Sequence, residues 1–471
     1  MVTDTKELYA QRLNRYVTAM RNGKPDRIPI RPFVAEFTAK HAGYTCQEVT
    51  HDYGKAFDAV LRCCADYDWD AVVPNMVYVW TGLTQAAGLR YYGIPGIDVG
   101  PDIGFQYREP SQDGAYMKRE EYDELIEDPI RFLYEIWLPR VSTEIMPRGT
   151  PATCRHNLAL VKSAWAMSNY FSAFSPQVDR MRRETGTVSA ICGMLKAPLD
   201  VLADKFRGYL GLAFDLKEIP EKVQAACQAL MPHLQYIALS GLDPSRNVPI
   251  PIWMHRGCVP FISHEHFNAI YWPTLKPIVE SIWARGNQVL FYAEGKWEAH
   301  LDAFAELPAG SIIYHIDRGD YRLVHEKLGP KFCLSGGVPN TLLAMGTPEQ
   351  VRAHCKQLID AVAQDGGYIM DASAIMQSDA TVENVKAMTD FTRAYGVYSS
   401  NPCSAAPPAP PERPPAPEAP MPGLKPGVCY SWEQKLAELP ALTGDAGLCE
   451  RIWEEVDALA YFYIWHLVLS F

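Results

Sequence analysis

Short apolar runs alternate with longer amphipathic stretches along most of this chain, and that rhythm limits the fold more than any other feature. Candidate strands are RIPIRPFVAEF, DAVVPNMVYV, TVSAICGML, VPIPIWMH, QVLFYAE, SIIYHID, KFCLSGG and GYIMDAS. Helical spacing separates them. In TPEQVRAHCKQLIDAVAQDGG, for example, Val351, Cys355, Leu358, Ile359 and Val362 fall on one face. Parallel strands joined by crossover helices give this order. Eight such strands in roughly 370 residues fit an α/β chain closed into a (β/α)8 TIM barrel with insertions. An open doubly wound sheet is the competing layout.

The ends of the chain read differently. MVTDTKELYAQRLNRYVTAM is charged and helical in pattern, an N-terminal helical extension rather than a signal peptide. Asn401 to Gly427 is rich in Pro and Ala and reads as an extended linker. The expected organisation is a barrel body over 1–400, a linker over 401–427 and a short helical tail over 428–471. The closing YFYIWHLVLSF either buries against the body or stays exposed for association.

Composition excludes some functions. A formal net charge of −11 argues against a nucleic-acid surface, which needs clustered Lys and Arg. No run reaches the ~18 to 20 apolar residues of a membrane span. Twelve cysteines without a CxxC pair read as reduced thiols, so a cytoplasmic location is expected.

Chemistry in a barrel belongs at the C-terminal ends of its strands. Those ends offer Glu36, then Asn75, Tyr78 and Trp80, then Lys196, then His255 and Arg256. Tyr292 and Glu294 end the fifth run, His315 and Asp317 the sixth, SGGVPN the seventh, and Asp371 the eighth. No Ser or Cys nucleophile with a base stands out, and no phosphate loop appears. Glu294 and His315 form the sharpest pair, because neighbouring parallel strands lie ~4.8 Å apart and both side chains could reach one ion. Zinc accepts carboxylate and imidazole, with His255 or Asp317 completing a set of three protein ligands. The plainer alternatives are that Glu294 caps the next helix and that His315 is a satisfied core imidazole. His264 and His266 read as surface or capping residues, and Gly336 and Gly337 as a close backbone approach to a ligand or a plain turn.

Several segments also resemble the uroporphyrinogen decarboxylase superfamily. NRYVTAMRNGKPDRIPI resembles its opening, and SGGVPNTLLAMGTPEQVRAHCKQLIDAVAQDGGYIM its GN-V-P-x-x-L-L-x-x-G-T-P-E-x-V signature. HRGCVPFISHEHF, FYAEG and YHIDRGD are similar to one branch, the cobalamin-dependent methyltransferases that include the substrate-demethylating components of O-demethylase systems. The likeness spans Leu8 to Tyr398 and implies a (β/α)8 barrel. RPFVAEF replaces the arginine-rich segment of true uroporphyrinogen decarboxylases. Tyr292-Ala293-Glu294 stands where thiol-activating zinc methyltransferases have His-x-Cys, and MDASAIM lacks their later cysteine.

The resemblance therefore implies zinc on a carboxylate and histidine site, with Glu294 first and His315 second, and the strand-end order supplies His255 as the third ligand. It implies a methyl group moving between a small ether-type or aromatic substrate and cobalamin on a partner corrinoid protein, since no cobalamin-binding Asp-x-His-x-x-Gly occurs here. Tyr292 or Asp317 would relay a proton. Tyr78, Trp80, Asn75, His255 and Arg256 would contact substrate. Barrels of this superfamily often pair, so a homodimer is expected. The rival readings are a decarboxylase or other lyase without corrinoid, and a scaffold acting through its tail.

Overall fold

The computed structural model describes residues 4–73, 81–110, 115–399 and 426–470. Its parallel strands are β1 (Ala71–Val72), β2 (Val188–Ser189), β3 (Leu195–Lys196), β4 (Ile250–Met254), β5 (Val289–Lys296), β6 (Ile312–Arg318), β7 (Cys333–Gly336) and β8 (Tyr368–Ile369). Strands β3 to β8 form one sheet in chain order, and β1 pairs with β2. Such an order needs a crossover between each pair of neighbours, which the intervening helices supply.

The expected closed barrel is met in part, as a TIM-barrel-like α/β fold. Single parallel bridges from Ile30 to Met370 and from Phe33 to Val73 carry the pairing from β8 across to β1. The first run makes bridges rather than a ladder, since Pro29 and Pro32 have no backbone N–H to donate. Strands β2 and β3 are successive pieces of one run, not bonded neighbours. The described ladders therefore do not make a continuous ring.

Alternation along the strands decides which side chains face inward. Trp253, Leu290, Tyr292 and Ile313 share an inner cluster with Phe33, Val73 and Ile369. Their neighbours Ile252, Phe291 and Tyr314 join the outer core. By the same two-residue period, His255, Glu294, His315 and Asp317 belong to the inward set. Helix α1 (Thr5–Met20), capped by the Asp4 side chain, adds Tyr16, Val17 and Met20 to the inner cluster. Gln288, at the start of β5, donates to Met20 O at 2.8 Å, which puts α1 at the N-terminal end of the strands.

Three longer helices matter later: α2 (Cys154–Thr185), α3 (Pro220–Ser240) and α4 (Pro348–Val362). Helix α4 begins with a reciprocal cap between Thr347 and Gln350 and has Pro348 in its first turn. It buries Val351, Cys355, Leu358, Ile359 and Val362, the face that its spacing predicts.

The tail carries a helix at Trp432–Glu438 and the longer α5 (Ala446–Leu469). The last turns of α5 bury Tyr461, Ile464, Trp465, Leu467 and Val468 in the main core. Burial of each is worth about 1.5–3 kcal/mol. Ser163 of α2 and Tyr463 are hydrogen-bonded at 2.6 Å, and His233 Nδ1 of α3 lies 2.7 Å from the Tyr461 hydroxyl. The closing run is therefore core for most of its length. Residues 401–425, the bulk of the expected linker, lie outside the described residues. Among the described residues no helix is long and apolar enough to cross a membrane.

Candidate active site

After β3 the chain enters a π-helical turn, Leu202–Arg207, which places Asp204 over the strand ends. This carboxylate is buried among basic side chains. Lys196 Nζ donates to Oδ2 at 2.6 Å, His255 Nδ1 lies 3.1 Å from Oδ2, and Arg256 Nε donates to Oδ1 at 3.0 Å. Burial opposes its ionisation, yet Lys196, His255 and Arg256 together hold the Asp204 carboxyl well below the usual range. One turn earlier, Asp200 accepts from the backbone N–H groups of His255 and Arg256 at 3.2 and 2.6 Å and from Tyr271 OH at 2.9 Å. Asp200 and Asp204 thus fix the end of β4.

With Nδ1 against Asp204, His255 presents Nε2 to Glu294 Oε2 at 3.3 Å. The approach lacks hydrogen-bond geometry, and Nε2 is a buried nitrogen with no hydrogen-bond partner among the described residues. Glu294 reaches this position because the register between β5 and β6 shifts between Ala293 and Lys296. Gly295 takes a φ of 98° directly behind it, and a Cβ there would stand 2.8 Å from Cys258 Sγ. The Glu294 side chain is 51% exposed, so it faces the opening rather than capping a helix. Asp317, from β6, accepts from the Gly295 N–H at 2.8 Å. Burial raises its pKa, and the nearby Glu294 charge adds to the effect.

These groups line a cleft of about 400 Å³ whose apolar wall is Phe105, Tyr107, Trp253, Phe261 and Ile375. A second cleft of about 710 Å³ shares Glu294, Asp317, Arg318 and Ile375 with it and extends past Tyr292, Asn340 and His354. Tyr292 is buried, and its hydroxyl has no well-formed hydrogen bond among the described residues. Arg256 turns its far end to Glu109, 2.6 Å away.

The expected pairing of Glu294 with His315 is not formed. His315 stands opposite Tyr292 in the strand register, two residues deeper than Glu294, and is 0% exposed. Its Nε2–H can only donate to the Ser373 carbonyl, 3.0 Å away, so Nδ1 accepts from the Ser335 hydroxyl at 3.0 Å. The ring stacks on Tyr292 with centroids 4.7 Å apart. Burial holds its pKa well below the ordinary value, which keeps it neutral. With both nitrogens engaged, His315 is the satisfied core imidazole, and His255 stands beside Glu294 in its place. Asn75, Tyr78 and Trp80 lie outside the described residues. Asp204 escaped the strand-end reading because it sits in a helical turn. Its spacing of four from Asp200, just after Lys196, is the signal that could have found it.

Among the described residues no three His, Cys, Asp or Glu side chains are placed to hold a metal together. Two donors do converge, His255 Nε2 and Glu294. The first has its other nitrogen fixed by a carboxylate, as metal-binding imidazoles usually do. The pair fits zinc in kind, one protein ligand short of the three a catalytic zinc takes.

Comparison with known proteins adds family membership. A uroporphyrinogen decarboxylase from Anaeromyxobacter dehalogenans (strain 2CP-C) is 28% identical over 138 residues, 29% of this chain. The match spans only 38% of that relative's length. A methyltransferase from Methanosarcina mazei superposes with a TM-score of 0.51 at 15% identity, covering 81% of this chain and 98% of that one, a likeness of fold alone. Residues 158–395 match the uroporphyrinogen decarboxylase (URO-D) family model. With that match over half its length and this fold, the chain belongs to the uroporphyrinogen decarboxylase family.

Proposed function

We propose that this chain is a methyltransferase that moves a methyl group between a small, ether-type aromatic substrate and the cobalt of a partner corrinoid protein. One observation carries the reading: an imidazole nitrogen without a hydrogen-bond partner among the described residues and a carboxylate meet at the mouth of a cleft walled by aromatics. His255 and Glu294 would hold a zinc ion, a Lewis acid that steadies negative charge on the substrate oxygen. Phe105, Tyr107, Trp253 and Phe261 hold a flat apolar ring and keep water from it. Asp204 fixes the tautomer and direction of His255. Asp317, on the same cleft, gives the leaving oxygen its proton or takes one in the reverse direction. The exposed side of Glu294 leaves the opening free for a corrinoid face.

A decarboxylase acting on a polycarboxylate would need free cations at this mouth. Lys196 is engaged by Asp204, and Arg256 by Asp204 and Glu109, which weighs against that alternative, and leaves the exposed Arg318 as the cation on this cleft that such a substrate could meet. The test mixes the protein with free cob(I)alamin and a methoxylated aromatic, and follows methylcobalamin by its absorbance. Replacement Glu294→Gln should lower the rate by roughly 100-fold or more with the fold intact. Full activity in that variant, or carbon dioxide release from a porphyrinogen without methyl transfer, would remove the reading.

A further inference from the structure

We infer that the last turn of α5 positions the working site through Tyr91, so that the tail is part of the catalytic architecture and not an appendage. The inference rests on the reading of Asp204 and His255 as site residues. It does not depend on which substrate they serve.

The contacts run without a gap from the tail to Asp204. Tyr91 is buried, and its hydroxyl donates to Leu467 O at 3.0 Å and lies 2.9 Å from Ser470 Oγ. Both partners belong to the end of the tail. Lys205 Nζ lies 4.1 Å from the centroid of the Tyr91 ring. Lys205 follows Asp204 in the π-helical turn, and Trp137 Nε1–H donates to its carbonyl at 2.8 Å. Tyr107, which borders the cleft, bonds through its hydroxyl to the Asp204 carbonyl and is itself 5.3 Å from Lys205 Nζ. A π-turn is a rare piece of helix that often sits at functional sites. Here its direction is set by three aromatic side chains, and the one at its outer side is anchored by α5. If that anchor goes, Asp204 loses its bearing on His255 Nδ1.

Side-chain 15N resonances of histidine report this directly, because a held imidazole shows one tautomer and a loose one shows a mixture. The experiment uses the 471-residue chain labelled at histidine, with His255 assigned by His255→Gln. The full chain is expected to show His255 as a single tautomer with the proton on Nδ1. Tyr91→Phe, Ser470→Ala and a chain ending at Leu459 should each lose that single pattern, as Asp204→Asn does. Tyr463→Phe, which removes only the bond to Ser163, should keep it. If the shortened chain does not fold, the point variants decide. A single tautomer in Tyr91→Phe and Ser470→Ala, alongside its loss in Asp204→Asn, would overturn the inference. Intact methyl transfer in Glu294→Gln would instead sink the proposed reaction and leave the tail's role standing.

Discussion

His255 Nδ1 lies 3.1 Å from Asp204 Oδ2, and that single contact decides which nitrogen of the imidazole faces the cleft. Asp204 serves Lys196 and Arg256 as well. Replacement Asp204→Asn leaves the buried Lys196 without its counter-charge and Arg256 with Glu109 alone. The expected cost is about 3 kcal/mol of stability together with a 10- to 100-fold loss of activity or metal affinity. Urea unfolding and zinc titration of the same variant check both halves.

His315 and His255 should separate cleanly under substitution. His315→Phe strands the Ser335 hydroxyl and the Ser373 carbonyl in the core, at about 1–3 kcal/mol for each group. It should unfold earlier in urea yet bind zinc as before, because no site nitrogen is lost. His255→Gln should do the reverse.

Much of this architecture is legible in the sequence. The period-two strands and the buried face of α4 follow from spacing, and the strand-end rule places His255, Arg256, Glu294 and Asp317 on the cleft. Depth along a strand is what spacing does not encode. Glu294 and His315 both face inward, but the register sets His315 against Tyr292, one layer down. Asp204 was hidden for another reason: a helical turn after β3 reads as ordinary crossover helix until its fold brings the carboxylate over the neighbouring strand. The two prolines of the first run warn of a broken ladder, and that is where the ring is weakest.

Glu36 gives a pH signature with an unusual sign. Burial raises its pKa from 4.5 to about 7, although Phe105 N–H donates to it. The folded state therefore holds a proton that the unfolded state releases above pH 4.5, so stability falls as pH rises toward 7. Glu36→Gln should add up to about 3 kcal/mol at pH 8 and nothing at pH 4. Thermal melts at the two pH values measure it.

The tail should loosen in acid. Burial between Tyr461 and Trp465 lowers the His233 pKa from 6.5 to about 4, so the folded state refuses a proton that the unfolded state accepts. Stability contributed by the docked tail is whole above pH 6.5 and is lost as pH falls toward 4. Trp465 fluorescence and limited proteolysis of the 426–470 segment should both change over that window. His233→Phe should flatten the response.

We assign the reactive pair at the strand ends to His255 and Glu294, not to His315. Isothermal titration of zinc into the wild-type protein, His255→Gln, Glu294→Gln and His315→Phe tests it most directly. One equivalent should bind to the wild type and to His315→Phe with similar affinity, and at least roughly 100-fold more weakly to the other two. Loss of binding in His315→Phe with wild-type affinity in His255→Gln would contradict it.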